Sequence, residues 1–358
     1  MFGLFLAIPA LVLVLLGAAV GAGVRAVKKR SNGGEPQMRR RVRWGRAALT
    51  FLALWFLVVP GVLGAFAPHI VRTRDFERGY LGPRIDSAGR WLPPALDDDE
   101  DSAGLFADQS GRVEQHTLRS EDGTGLRIHA VAAVGEARAV VVLSHGLFRS
   151  GFEIDPVAQM FSELGCAVVL LNLRNHGGSE RAGCSFGDRE TDDVLAAVEF
   201  AQGWQPYRPL VLFGVSLGSV ATARAAARLP DLRGLVLDAP FDDFGQSARR
   251  YLGRQVTDPM LTVMLTTMQW SGGFSFDALS TVEVVPSLNP DLPALIVGGG
   301  DDVIAVPEGV RAVYEALPSR ANSVLWIEPD SGHGKVWTDD RQRYREELEA
   351  LLVKATGG

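Results

Sequence analysis

The sequence predicts an α/β protein: a mostly parallel sheet of about eight strands with helices on both faces, preceded by two membrane-crossing helices. Three observations predict it. Six short apolar runs recur between Ala139 and Ile327 with helix-compatible segments between them. An alternating pair of runs joined by Ser120-Glu121-Asp122-Gly123-Thr124-Gly125 comes just before, which reads as a hairpin. Met1 to Val24 and Ala47 to Val71 carry no Lys, Arg, Asp or Glu.

Each uncharged stretch reaches the ~20 residues that cover about 30 Å of hydrocarbon at 1.5 Å per residue. The first has no positive residue ahead of its apolar run and outlasts a signal-peptide core, so a retained span is favoured over a cleaved signal. The second is apolar all round a helix, with Phe51, Leu52, Leu54, Trp55, Phe56 and Leu57, unlike the one-sided helix of a soluble core. Between them, Arg25 to Arg46 holds nine basic residues and one acid. Short basic loops stay in the cytoplasm, so the expectation is a two-span hairpin over residues 1–71 with everything after about Ile70 extracytoplasmic.

The whole chain has 36 basic and 42 acidic residues, a formal charge of -6, and the part from Arg72 onward is the acidic part. That excludes a nucleic-acid-binding domain, which needs clustered Lys and Arg. Cys166 and Cys184 are the only cysteines, so a disulfide framework and a Cys-based zinc site are excluded, although one bridge between them is conceivable. Residues 72–111, rich in Pro, Gly and Asp, read as a linker or irregular cover; the run Asp97-Asp98-Asp99-Glu100-Asp101 reads as a solvated loop, lacking the spaced ligands of a cation site.

From 112 to 358 the order is legible. Val113 to Arg119 and Leu126 to Ala133 form the hairpin. The apolar runs Ala139 to Leu143, Ala167 to Leu171, Leu210 to Phe213, Leu235 to Leu237, Ala294 to Val297 and Val324 to Ile327 suit strands buried on both faces. Helices are expected over Pro156 to Leu164, Glu190 to Gln202, Ser216 to Leu229, Pro307 to Leu317 and Asp339 to Val353.

In such sheets reactive groups gather beyond the carboxyl ends of the strands. There stands Gly214-Val215-Ser216-Leu217-Gly218, a G-x-S-x-G between a strand and an Ala-rich helix. The turn strains the serine backbone, needs Gly on both sides, and lifts the hydroxyl beside a helix N-terminus. Ser216 is the nucleophile candidate. A hydroxyl needs a base, and the base an orienting carboxylate. His333, in Gly332-His333-Gly334 after the last strand, is the base candidate; His145 and His176 precede the serine. Asp301 and Asp302 follow the Ala294 run and satisfy the chain order Ser, Asp, His; Asp238 is a competing acid.

Taken together, His145-Gly146-Leu147, Arg174-Asn175-His176-Gly177-Gly178-Ser179, Gly214 to Gly218, Gly298-x-x-Asp301-x-x-Ile304 and Gly332-His333-Gly334 resemble the α/β-hydrolase fold family, in particular its serine esterase and prolyl-oligopeptidase-like branch. The resemblance covers about two-thirds of the chain. It implies Asp301 as the triad acid, with Asp302 as fallback, and an oxyanion hole from the amides of Leu147 and Leu217. It implies structural roles for His145 and His176, and a short helical excursion over 241–292 where the family varies. It implies a membrane-anchored serine hydrolase cleaving an ester, thioester or amide, carboxylesterase- or lipase-like, with a small-molecule or lipid-like acyl substrate and neither metal nor organic cofactor. The alternatives are an idle scaffold used for binding and a peptidase; no propeller-sized domain precedes the catalytic one. The sequence leaves oligomeric state open.

Overall fold

The structure is a computed structural model that describes residues 50–70, 84–86, 88, 90–92, 111–254 and 256–357. The first uncharged stretch, the basic loop and the acidic run lie outside the described residues. The second uncharged stretch is helix α1, Thr50–His69, the one helix among the described residues long and apolar enough to cross a membrane.

The elements then run β1 (Arg84–Ile85), β2 (Trp91–Leu92), β3 (Val113–Arg119), β4 (Gly125–Val131), β5 (Val140–Ser144), α2 (Gly151–Glu163), β6 (Ala167–Leu171), α3 (Glu190–Trp204), β7 (Leu210–Val215), α4 (Leu217–Ala226) and β8 (Gly234–Asp238). After them come α5 (Phe244–Leu252), α6 (Asp258–Gly272), α7 (Thr281–Val284), β9 (Ala294–Gly299), α8 (Pro307–Glu315), β10 (Val324–Glu328), α9 (Val336–Asp339) and α10 (Arg341–Thr356). Strands β3 to β10 form one sheet in the order β10-β9-β8-β7-β5-β6-β4-β3. The six strands from β10 to β6 are mutually parallel, β4 joins β6 antiparallel, and β3 closes the hairpin at the edge.

Burial explains the runs. Strands β5 to β9 are buried at every residue, so both sides of each must be apolar. Val140 and Val142 point into one core with α3, α4 and α8, while Val141 and Leu143 point into the other with α2 and α10. Edge strand β3 has only half-buried and exposed residues.

Helix α2 starts at Gly151, earlier than its proline suggested, because the Ser150 hydroxyl caps the amide of Phe152 and Pro156 is carried inside. The C-terminal helix divides at Asp340, whose carboxylate caps α10 on the amide of Arg343. Within residues 72–111, expected as a linker or irregular cover, two of the described residues pack on the domain: Ile85 is buried, and Trp91 donates to Asp155 Oδ2 at 2.8 Å.

The excursion over 241–292 holds α5, α6 and α7, and α1 packs along α6. In this structure the second uncharged stretch is therefore not a free-standing span. Cys166 and Cys184 are both free and buried. Burial pushes the Cys166 thiol up to about 12 and that of Cys184 well above its usual range, so neither is a reactive thiolate.

Candidate active site

Strand β7 delivers the serine. Ser216 sits between β7 and α4 with φ 55 and ψ −118, a left-handed backbone that non-glycine residues seldom adopt, and its amide donates to Asp238 O at 2.9 Å. Close packing fixes the two flanking glycines. A Cβ on Gly218 would lie 2.5 Å from Ser144 O, and one on Gly214 would lie 2.4 Å from Gly218 O.

Ser216 Oγ lies 2.8 Å from His333 Nε2, and His333 Nδ1 lies 2.7 Å from Asp302 Oδ2. A carboxylate only accepts, so Nδ1 carries the proton toward Asp302 and Nε2 is left to accept from the serine. The carboxyl group against His333 is therefore that of Asp302, the fallback, and not that of Asp301. Asp301 is exposed, and its amide donates to Ser331 O at 3.0 Å, tying the acid loop to the histidine loop. Asp302 points inward, 3% exposed, and its Oδ1 accepts the amides of Ile304 and Ala305. The turn Gly299 to Asp302, closed by Asp302 N on Gly299 O, sends consecutive side chains in opposite directions.

Asp238, the competing acid, is fully buried and accepts from Tyr344 Oη at 2.7 Å, without a hydrogen bond to His333. Burial raises its carboxyl to about 7, against the lowering effect of the Tyr344 hydrogen bond.

The loop after β5 lies alongside the serine: a Cβ on Gly146 would stand 3.3 Å from Ser216 Cβ. Two buried imidazoles and one carboxylate shape this loop. His145 donates from Nδ1 to Gly146 O and accepts the amide of Leu173 on Nε2. His176 donates from Nδ1 to Arg174 O and accepts the amide of Phe148 on Nε2. Burial holds both well toward the neutral form, which this donor–acceptor pattern requires. Glu153 accepts the Gly146 amide at 2.7 Å. Sequence reasoning missed Glu153, although an acid three residues after a serine cap was the available signal. Of the two residues expected to supply oxyanion amides, Leu217 follows Ser216 and opens α4, and Leu147 follows Gly146 in this loop.

Arg174 is buried and forks onto Asp193, reaching Asp122 as well. It braces the hairpin against α3 beneath the loop.

The other wall is aromatic. The Phe241 ring lies 6.1 Å from the His333 ring, Phe244 5.4 Å from Phe241, and Phe276 5.5 Å from Phe244, between the sheet and the excursion helices. The groups brought together are a hydroxyl, an imidazole, a carboxyl group, backbone amides at a helix start and buried aromatic rings. Such a set can activate an alcohol toward a carbonyl and bind an apolar acyl group. No group of acids, histidines and cysteines that could hold a metal occurs among the described residues.

Residues 135–283 match the family model described as serine aminopeptidase, S33. An uncharacterized protein of Bacillus subtilis, YqkD, is 24% identical over 59% of this chain and 70% of its own. An uncharacterized membrane protein of Saccharomyces cerevisiae is 22% identical over 63% of this chain and 75% of its own. A thermostable monoacylglycerol lipase of a Bacillus species is 31% identical over a shorter stretch, 27% of this chain and 38% of the lipase. Among solved structures, the Pyrococcus furiosus esterase Pf2001 superposes with TM-score 0.56 at 20% identity, covering 78% of this chain and all of the esterase. A carboxyl esterase of Bacillus coagulans gives 0.56 at 15% identity, covering 68% and 99%. At these identities the structural likeness establishes the fold.

Proposed function

We propose that this chain, a member of the α/β-hydrolase fold family, is a membrane-associated serine hydrolase of the carboxylesterase type, working through an acyl-enzyme. One observation carries the reading: the unbroken relay from Ser216 Oγ through His333 to the buried carboxylate of Asp302. Ser216 attacks the acyl carbonyl as His333 Nε2 takes its proton, and Asp302 stabilises the imidazolium that forms. The amides of Leu147 and Leu217 receive the charge that develops on the carbonyl oxygen, and losing one such donor typically costs ~10²-fold or more. His333 then returns its proton to the departing alcohol. Water enters by the same relay to release the acid.

The strained φ of 55 at Ser216 supports the reading, because folding retains such strain only where surrounding packing enforces it. The esterase and lipase names among the similar proteins favour an ester over an amide. Residues 112–358 form the catalytic unit in this proposal, and residues 1–71 the membrane attachment. If both uncharged stretches cross the bilayer, the catalytic unit is extracytoplasmic. The seat of α1 along α6 favours a different arrangement.

The test is hydrolysis of p-nitrophenyl esters of increasing acyl length by the wild-type chain and Ser216→Ala. The expected result is turnover by wild type and a loss on the order of 10³-fold or more in the variant. Equal rates in the two, or no turnover of any ester by folded wild type, would count against the proposal.

A further inference from the structure

Helix α1 is built onto the domain along its length. A Cβ on Gly64 would lie 2.0 Å from Met264 O and 2.3 Å from Thr267 Oγ1, so only glycine lets the two helices approach this closely. Ser271 Oγ donates to Ala65 O at 2.5 Å and lies 2.9 Å from His69 Nε2. Gly61 faces Val263, and Pro68 faces Gly272. The contacts advance in step, so α1 and α6 run side by side in the same direction. The opposite face of α6 is spoken for: Leu261, Leu265 and Met268 are buried in the domain core. Helix α1 thus lies across the surface of the domain instead of projecting from it.

A helix so seated cannot also stand across a bilayer unless the excursion goes in with it. That would carry Asp258 toward the hydrocarbon, since Asp258 opens α6, whose residues pack along α1 from Leu54–Val58 onward. Lying in the surface avoids this. The outward side of α1 is apolar, with Leu57, Val58, Val62 and Phe66 exposed, and Trp270 of α6 is 83% exposed beside it. Pro259 to Gly272 carry no charge, and tryptophan favours the headgroup boundary. Arg39, Arg40, Arg41, Arg43 and Arg46 immediately precede α1 in sequence, and exposed Arg249 and Arg254 precede α6, a pattern that complements anionic lipid.

We propose that α1 and α6 rest together in the surface of an anionic bilayer, holding the catalytic domain on the side of the Arg25–Arg46 segment, and that the substrate is an acyl amphiphile taken from that leaflet. Met1–Val24 is then the sole crossing of the two uncharged stretches, and the positive-inside bias puts the domain in the cytoplasm. Buried apolar packing links the two sites. A Cβ on Gly272 would meet both Pro68 of α1 and Phe274, and rings at 5.4, 5.0 and 5.4 Å connect Phe274 through Phe186 and Phe244 to Phe241, which stands against His333, so an acyl chain would enter by displacing side chains of this apolar layer. Only the substrate clause rests on the serine-hydrolase reading.

The test uses the full chain in phosphatidylglycerol-containing membranes. Reporters fused after Gly358 should be active in the cytoplasm, and nitroxides placed one at a time at residues 52, 58 and 66 should sit at one shallow depth. An extracytoplasmic reporter, or a depth that passes through the bilayer centre between those positions, overturns the proposal. For the substrate clause, Val62→Asp with Phe66→Asp should lower the ratio of long-chain ester hydrolysis in vesicles to water-soluble ester hydrolysis by about tenfold or more, as lost apolar contact weakens interfacial binding. An unchanged ratio overturns the clause. If wild type hydrolyses neither ester, the serine-hydrolase reading has failed together with that clause, while reporter and depth still decide the seat.

Discussion

Replacing Asp302 by Asn changes one atom and tests the relay at its most informative point. In the native site Asp302 Oδ1 accepts the amides of Ile304 and Ala305, while Oδ2 takes the Nδ1 proton of His333. An Asn keeps its carbonyl oxygen on the two amides and so turns its NH₂ toward the imidazole. A donor facing Nδ1 forces the proton to Nε2, the nitrogen 2.8 Å from Ser216 Oγ, which can then no longer accept from the serine. The stabilisation of the imidazolium is lost as well. For a serine protease triad the comparable change costs about 10⁴ in kcat, equivalent to ~5 kcal/mol at 1.36 kcal/mol per decade. The same order is expected here. The assay is steady-state hydrolysis of a short-chain p-nitrophenyl ester, with thermal denaturation as the check that the variant folds. Asp301→Asn is the companion: its exposed side chain should be replaceable with a change of a few-fold at most. If folded Asp302→Asn stays within tenfold of wild type, or Asp301→Asn falls by as much, the reasoning about the acid is wrong.

Three further changes probe the surroundings. The carboxyl of Asp238 is raised to about 7 from an ordinary 3.8, so the folded state keeps a proton that the unfolded state releases as pH climbs from about 4 to 7, and wild type loses stability over that window. Asp238→Asn should thus gain stability relative to wild type above pH 7, a few kcal/mol at most from ~1.4 kcal/mol per unit, with the gain vanishing below about pH 4; a pH-independent difference in urea midpoints would contradict this. Arg174→Met leaves the buried Asp193 carboxylate without its partner and should cost about 3–5 kcal/mol in denaturant unfolding, where a cost under ~1 kcal/mol would remove the brace from the account. Gly218→Ala drives a methyl into the backbone oxygens of Ser144 and His145, at 2.5 and 2.7 Å, and should lower stability by about 2 kcal/mol or more and slow fluorophosphonate labelling; wild-type behaviour in both would mean that the elbow is looser than described.

Much of this molecule could be read without coordinates, and the reason is physical. Strands buried on both faces must be apolar at every position, so β5 to β9 announce themselves as unbroken runs. The elbow is legible because strain at Ser216 and close approach at Gly214 and Gly218 admit few residue types. The carboxyl group against His333 is that of Asp302, the fallback, and not Asp301, because direction in a tight turn depends on which amide closes it. Asp302 N on Gly299 O, and Asp301 N on Ser331 O, are choices made by the neighbouring histidine loop. The seat of α1 was hidden for a related reason. Hydropathy reports how apolar a helix is and is silent on Gly64 facing Met264, a contact between residues 200 apart. Glu153 was hidden too, because its importance lies in one hydrogen bond to the Gly146 amide.

Trapping the nucleophile tests the central claim most directly. The folded wild-type chain, treated with a fluorophosphonate and digested, should yield one adduct, on the peptide holding Ser216, and Ser216→Ala should yield none. An unmodified Ser216 in protein that is demonstrably folded, or an adduct confined to another residue, would contradict the account.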